Sequence, residues 1–282
     1  MIKLLKPEML FDVDSNDVYV NNIINNRNRG DLKTFLIAEK YNWIAELDNY
    51  DVIHSNNSIL NPTNLIDFTA VKNSINNYLY KDTPTSELKI IKELRDYYIG
   101  KICPYCGAPG CGTLDHYYPK SLFPQYALHL NNLIPSCSKC NKAKETDTPT
   151  ITDRCVNPYY DEFFNEFLYE VYFEKRGDVI IFELKPHRNQ SVFNQQIIEF
   201  HLEKLKIQEF HTDSIKLAID KIYDDIKIKI NILRREDEEI LHEYRLIVSD
   251  GLEKGYTYDW DLLIKDSVVN NNIIFRSIIN SV

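Results

Sequence analysis

The sequence predicts an α+β protein in which a small core of two strands and a helix lies between mostly helical N- and C-terminal regions. Three observations predict it. Two Cys-x-x-Cys pairs, Cys103/Cys106 and Cys137/Cys140, bracket a polar insert; apolar residues recur at helical spacing before residue 99 and after Pro186; and two apolar runs flank Arg176-Gly177-Asp178. The organisation read from these is a helical N-terminal region over 1–99, a cysteine-bracketed core over 100–148, and a β-hairpin followed by a helical domain over 149–282.

In the N-terminal region Leu32, Phe35, Leu36, Tyr41 and Ile44 fit one helical stripe, and Leu88, Ile91, Leu94 and Tyr98 fit a second. The Asn-rich stretches 16–28 and 56–64 read as loops. Beyond the core, Tyr169-Glu170-Val171-Tyr172-Phe173 and Val179-Ile180-Ile181-Phe182 read as the arms of a hairpin with a Gly turn. Phe193, Ile197, Phe200 and Leu205 then keep helical spacing. So do Ile215, Ile219, Ile222, Ile226, Ile230 and Leu233, with Thr212 as the expected N-cap. A shorter helix is expected over 240–248, broken by Gly251 and Gly255, and a last one over 259–279.

Composition narrows the class. A chain of 282 residues with 44% hydrophobic content can bury a sizeable core, and its 19 Tyr and 13 Phe exclude a disordered composition. No apolar run reaches the ~18–20 residues of a membrane helix. The start, Met1-Ile2-Lys3-Leu4-Leu5-Lys6-Pro7, lacks a signal-peptide core, so a cytoplasmic protein with no membrane partner is expected. A net charge of −9 argues against broad coating of a polyanion. Locally the balance reverses: Lys101, Lys120, Lys139, Lys142 and Lys144 outnumber Asp115, Glu145 and Asp147, which suggests one focused phosphate-contacting strip. Chance fluctuation is the plain alternative.

Six cysteines are too few for a disulfide scaffold, and in a reducing compartment paired spacing points to metal. Each Cys-x-x-Cys turn offers two sulfurs to one side of an ion, so Cys103, Cys106, Cys137 and Cys140 together close the tetrahedron of a structural zinc. Cys111 and Cys155 have no partner at ligand spacing and read as small apolar residues. Between the pairs lie Asp115-His116 and Asn132, and Asn141 directly follows Cys140. Segments 113–117 and 132–135 can form two strands. Ser136 or Ser138 can cap a short helix through Lys144, which puts Asp115 and His116 opposite Asn141.

These residues, from Cys103 to about Lys144, resemble the HNH endonuclease family with its ββα-metal fold. Asn141 stands where the family name has its last His, and an Asn there keeps an oxygen ligand. The resemblance implies hydrolysis of phosphodiester bonds in nucleic acid, with DNA favoured over RNA and the choice between them left open by the sequence. The chemistry of the residues agrees. His116 is the natural general base, since neutral imidazole takes a proton near pH 7. Asp115 and Asn141 supply hard oxygens for a catalytic Mg²⁺ or Mn²⁺. By analogy with the family's middle Asn, Asn132 holds the loop and orients His116. Lys120 and Lys144 are expected to contact flanking phosphates, whereas His129 is open between a structural and a substrate-contacting role.

The wider motif is softer. Leu114-Asp115-His116-Tyr117-Tyr118-Pro119-Lys120-Ser121, with Phe123-Pro124 and Asn157-Pro158-Tyr159-Tyr160-Asp161, is similar to HNH nucleases of bacterial anti-phage systems. The nuclease component of the Septu system, which partners an ATPase, is one of these. That likeness implies a defence role and a partner ATPase. The rival class is a non-catalytic, zinc-stabilised nucleic-acid-binding or partner-interaction subunit, in which the Ile-rich faces over 215–233 and 264–279 would matter more than cleavage.

Overall fold

The computed structural model describes residues 3–13, 15–25, 30–56, 66–69, 71, 75, 86–176, 179–257, 259–271 and 275 of the chain. Two small antiparallel sheets are set among helices, which makes the fold α+β. The backbone divides into two compact units, one built from 3–161 and the other from 162 onward.

In the first unit, helices α1 (Pro7–Phe11), α2 (Asn16–Asn25), α3 (Asp31–Ala38), α4 (Lys40–Ser55) and α5 (Ser86–Tyr98) precede the core. Of the Asn-rich stretch 16–28 expected as a loop, residues 16–25 instead form α2, and 26–28 lie outside the described residues. Tyr19, Val20, Ile23 and Ile24 share one buried face, and burial of that face overrides the poor helix propensity of Asn. The second Asn-rich stretch lies, from 57 to 64, outside the described residues. Helix α4 buries Trp43, Glu46, Leu47, Tyr50 and His54 along one side.

The core follows the expected order. Strands β1 (Thr113–His116) and β2 (Leu133–Ser136) pair antiparallel, with Asp115 opposite Ile134 and His116 opposite Leu133. Helix α6 (Ser138–Lys144) comes next. Its N-cap is neither Ser136 nor Ser138 but Cys137, whose Sγ accepts the Cys140 N–H at 3.4 Å. A cysteine caps this helix because its sulfur must already sit at the helix start to join the thiol cluster. The long loop between β1 and β2 is tied to α4. Trp43 Nε1 donates to the Gln125 carbonyl at 2.8 Å, and the Tyr126 hydroxyl donates to Glu46 at 3.0 Å. Behind the core, Arg154 grips Asp161 with two hydrogen bonds of 2.7 Å, closing the exit segment.

The second unit opens with the hairpin β3 (Tyr169–Arg176) and β4 (Val179–Pro186), where the sequence expected it; its tip, 177–178, is outside the described residues. Helices α7 (Val192–Lys204), α8 (Ile207–Asn231), α9 (Asp237–Glu253) and α10 (Trp260–Asn270) follow. Helix α8 begins five residues ahead of the expected cap. Thr212 lies inside it and satisfies its hydroxyl locally, donating to the Gln208 carbonyl at 2.7 Å. Helix α9 runs through Gly251 instead of breaking there. A Cβ on Gly251 would stand 2.4 Å from Leu262 Cδ1, so this glycine permits close approach of α9 and α10. Gly255, with φ of 76°, follows the helix end. Apart from Asn271 and Phe275, the rest of the expected C-terminal helix lies outside the described residues.

Candidate active site and thiol cluster

Four thiols converge beneath the β1–β2 pair. The Sγ atoms of Cys103, Cys106, Cys137 and Cys140 all lie within 4.8 Å of one another, and Cys106 and Cys137 are 3.9 Å apart. A zinc with Zn–S near 2.3 Å needs tetrahedron edges of about 3.8 Å, so the donor set and its spacing fit zinc. Backbone N–H groups already point at the sulfurs, that of Cys137 reaching Cys103 Sγ at 3.3 Å. Hydrogen bonds with its neighbours, Cys106 first, pull the Cys103 thiol down, while those to Cys140, from Cys103 first, push that thiol up. Four such groups cannot all ionise without a cation among them. All six cysteines are free, and Cys111 and Cys155 are buried.

A second group, Glu170, His187 and Asp266 in the other unit, also clusters tightly. There the Arg188 guanidinium bridges Glu170 and Asp266, and His187 Nε2 lies 3.2 Å from Asp266. The positive charge already present makes this an ion-pair network rather than a cation cage.

A cleft of about 400 Å³ opens over the β1–β2 pair, and His116 and Asn141 both line it. The His116 ring is half-buried. Its Nε2 lies 3.1 Å from the Ala127 carbonyl, which can only accept, so Nε2 carries the proton and Nδ1 keeps its lone pair. Burial first, and then the charge on Lys120, lowers the His116 pKa to about 3. The ring is therefore neutral near pH 7.

Asn132 is fully buried, and its amide is used at both ends. Its Oδ1 accepts the Tyr118 N–H at 2.7 Å, and its Nδ2 donates to the carbonyls of Tyr118 and Tyr126 at 3.1 Å each. Those bonds join the segment just after His116 to the one just before Ala127, the residue that holds the His116 ring.

Asp115 is 3% exposed and is not among the residues that line the cleft. Its Oδ2 accepts from the Tyr105 hydroxyl at 2.8 Å and lies 3.2 Å from the Lys144 ammonium. Tyr105 belongs to the first Cys-x-x-Cys turn, a link no motif announced. Lys144 departs from the phosphate contact expected of it. It is 3% exposed, and its ammonium donates to the His116 carbonyl at 2.7 Å as well as pairing with Asp115. An amine so committed is an internal brace. Lys120 stays half-exposed. His129, 2% exposed with Nε2 3.0 Å from Asp51, is structural.

A hairpin and short helix closed by four thiols, with His and Asn side chains over one cleft, define the class of a small metal-stabilised ββα domain. Residues 103–147 match the family model for HNH endonuclease, which supports nuclease activity and the zinc reading of the cluster. Protein ea31 of Escherichia phage lambda is 29% identical to this chain over 145 residues, so the chain spans 47% of that relative's length and the likeness 47% of its own. No solved structure matches. Among the described residues no helix is long and apolar enough to cross a membrane.

Proposed function

We propose that the protein is a metal-dependent endonuclease that hydrolyses DNA phosphodiester bonds at the His116–Asn141 cleft. The observation that carries this reading is His116, its Nε2 bonded to the Ala127 carbonyl, on a cleft shared with Asn141. In it, His116 Nδ1 takes a proton from the attacking water. Asn132 keeps the ring in place by tying Tyr118 to Tyr126 on either side of it. With the Asn141 amide oxygen, the Asp115 carboxylate would make a hard donor set suited to Mg²⁺ or Mn²⁺ once its pairing with Lys144 opens. Such an ion, when bound, neutralises charge on the phosphate and on the departing oxygen. Lys120 reaches a flanking phosphate.

The motif's likeness to anti-phage nucleases extends the reading to a cytoplasmic defence protein with a partner ATPase. The exposed Leu217, Ile228, Ile232 and Leu233 in and just after α8 offer that partner an apolar face, and co-purification from the native host tests it. For the chemistry, plasmid nicking in Mg²⁺ or Mn²⁺ by wild type beside His116→Ala is the direct test. Loss of at least ~10²-fold in single-turnover rate is expected, with zinc content unchanged. Equal rates would move the non-catalytic binding module to first place.

A further inference from the structure

We propose that Arg95, in the last turn of α5, grips a backbone phosphate of the nucleic acid in the same cleft as His116 and Asn141. The inference rests on reading that cleft as the nucleic-acid site. It assigns a contact from outside the matched residues 103–147, on a helix that the family likeness does not cover.

Three observations carry it. First, Arg95 lines the cleft together with His116, Asn141 and Ile91, the residue one turn before it on α5. Its aliphatic stem can rest on that apolar neighbour while the guanidinium faces water. Second, Arg95 is uncommitted where its neighbours are not. On the same helix Lys89 pairs with Glu93 at 3.5 Å and Lys92 with Asp96 at 2.9 Å, whereas Arg95 has no ion pair or hydrogen bond among the described residues. In a chain of net charge −9, carboxylates are plentiful, so a half-buried guanidinium left without one is unusual. Third, the cleft needs a cation that Lys144 does not give it, since that ammonium is turned inward onto Asp115 and the His116 carbonyl. A guanidinium fork suits two oxygens of one phosphate better than an ammonium does.

A basic residue in a last helical turn also gains from the helix dipole. That ordinary role predicts a small stability loss and no effect on nucleic acid, so the two accounts separate experimentally. Arg95→Ala, Arg95→Lys and, as a same-helix control, Lys92→Ala are compared with wild type in two assays. One is binding of a labelled DNA duplex without added divalent ion, over a series of salt concentrations. The other is single-turnover plasmid nicking in Mn²⁺. Arg95→Ala is expected to lower the salt slope of binding by about one and to weaken binding on the order of 10-fold at low salt. It should slow nicking by roughly 10- to 100-fold. Arg95→Lys should recover the slope but not the full rate, and Lys92→Ala should change neither.

If wild type nicks and Arg95→Ala binds and nicks like it, Arg95 is no phosphate contact, while the nuclease reading stands. If wild type binds without nicking and the slope still falls in Arg95→Ala, the contact stands and the nuclease reading fails. A wild type that neither binds nor nicks overturns both. Should Arg95→Ala lose zinc or helicity, Arg95→Gln keeps much of the stem without the charge and carries the same comparison.

Discussion

The two units are stabilised by different means. The unit over 3–161 buries Glu46, Asp115, Asn132, Lys144, Arg154 and Asp161, each answered by named partners, and closes around four thiols. The unit from 162 onward has its own polar pairs, at Arg188 and Lys229, but joins its long helices through apolar stripes. Ile207, Ile215, Ala218, Ile222 and Ile226 line one face of α8, and Leu262, Leu263, Ile264 and Val268 fill α10. A groove of about 510 Å³ in it is lined by Glu183, Glu199, Glu203 and Glu209 against Lys185 and Lys206, an acidic balance unsuited to a polyanion. A directional polar network holds side chains at fixed distances, which chemistry needs; an apolar stripe holds helices together and specifies little else.

That contrast can be broken most severely by removing zinc. Structural zinc is worth on the order of 10 kcal/mol or more in small domains. Cys137→Ser, or strong chelation, should therefore unfold the core while sparing the helical signal of α7 to α10. Elemental analysis beside circular-dichroism melts checks this, and a zinc-free yet fully folded core would refute it.

Next in size is Lys144→Ala. It leaves the Asp115 carboxylate buried without its cation and should cost about 3–5 kcal/mol in urea unfolding of the first unit. Adding Asp115→Asn to that variant should recover much of the loss, because the neutral amide no longer needs a counter-charge.

In the second unit the corresponding fault is steric. Gly251→Ala drives a methyl group into Leu262 and should cost about 1–3 kcal/mol, with DNA nicking untouched. A lost activity there would mean the apolar unit also shapes the site.

A pH titration probes the first unit without any substitution. His54 is packed among the rings of Tyr50, Tyr117, Tyr118 and Tyr160, its Nε2 has no hydrogen bond, and Arg154, Asp51, His129 and Lys6 are the charges it feels. Burial lowers its pKa from 6.5 to about 3. The unfolded chain therefore binds the proton first as pH falls. Stability is full above pH 6.5 and declines towards pH 3, at up to ~1.4 kcal/mol per pH unit from this group. His54→Phe should flatten that slope in acid-unfolding curves of the first unit.

Much of this was legible beforehand, for physical reasons. The β1–β2–α6 order and the four sulfur ligands were readable because metal spacing is local: two Cys-x-x-Cys turns announce themselves without tertiary information. The hairpin and α8 were readable because their apolar periods are long. The misreadings share a cause. Asn16–Asn25 folded as a helix, Thr212 lost its cap role and Gly251 stayed inside α9 because packing against distant residues outweighed local preference. Within the site, Lys144 could not be read as an inward brace, since nothing in the order of residues shows which way an ammonium turns. Tyr105 and Arg95 were missed because each acts from outside the Asp-His…Asn pattern.

The Tyr105–Asp115 hydrogen bond gives the thiol cluster a second consequence. The tyrosine rides on the turn that Cys103 and Cys106 form, so the position of that turn is passed to the carboxylate, which Lys144 also holds. In the proposed reading, losing zinc would therefore loosen one of the two holds on the residue next to the base.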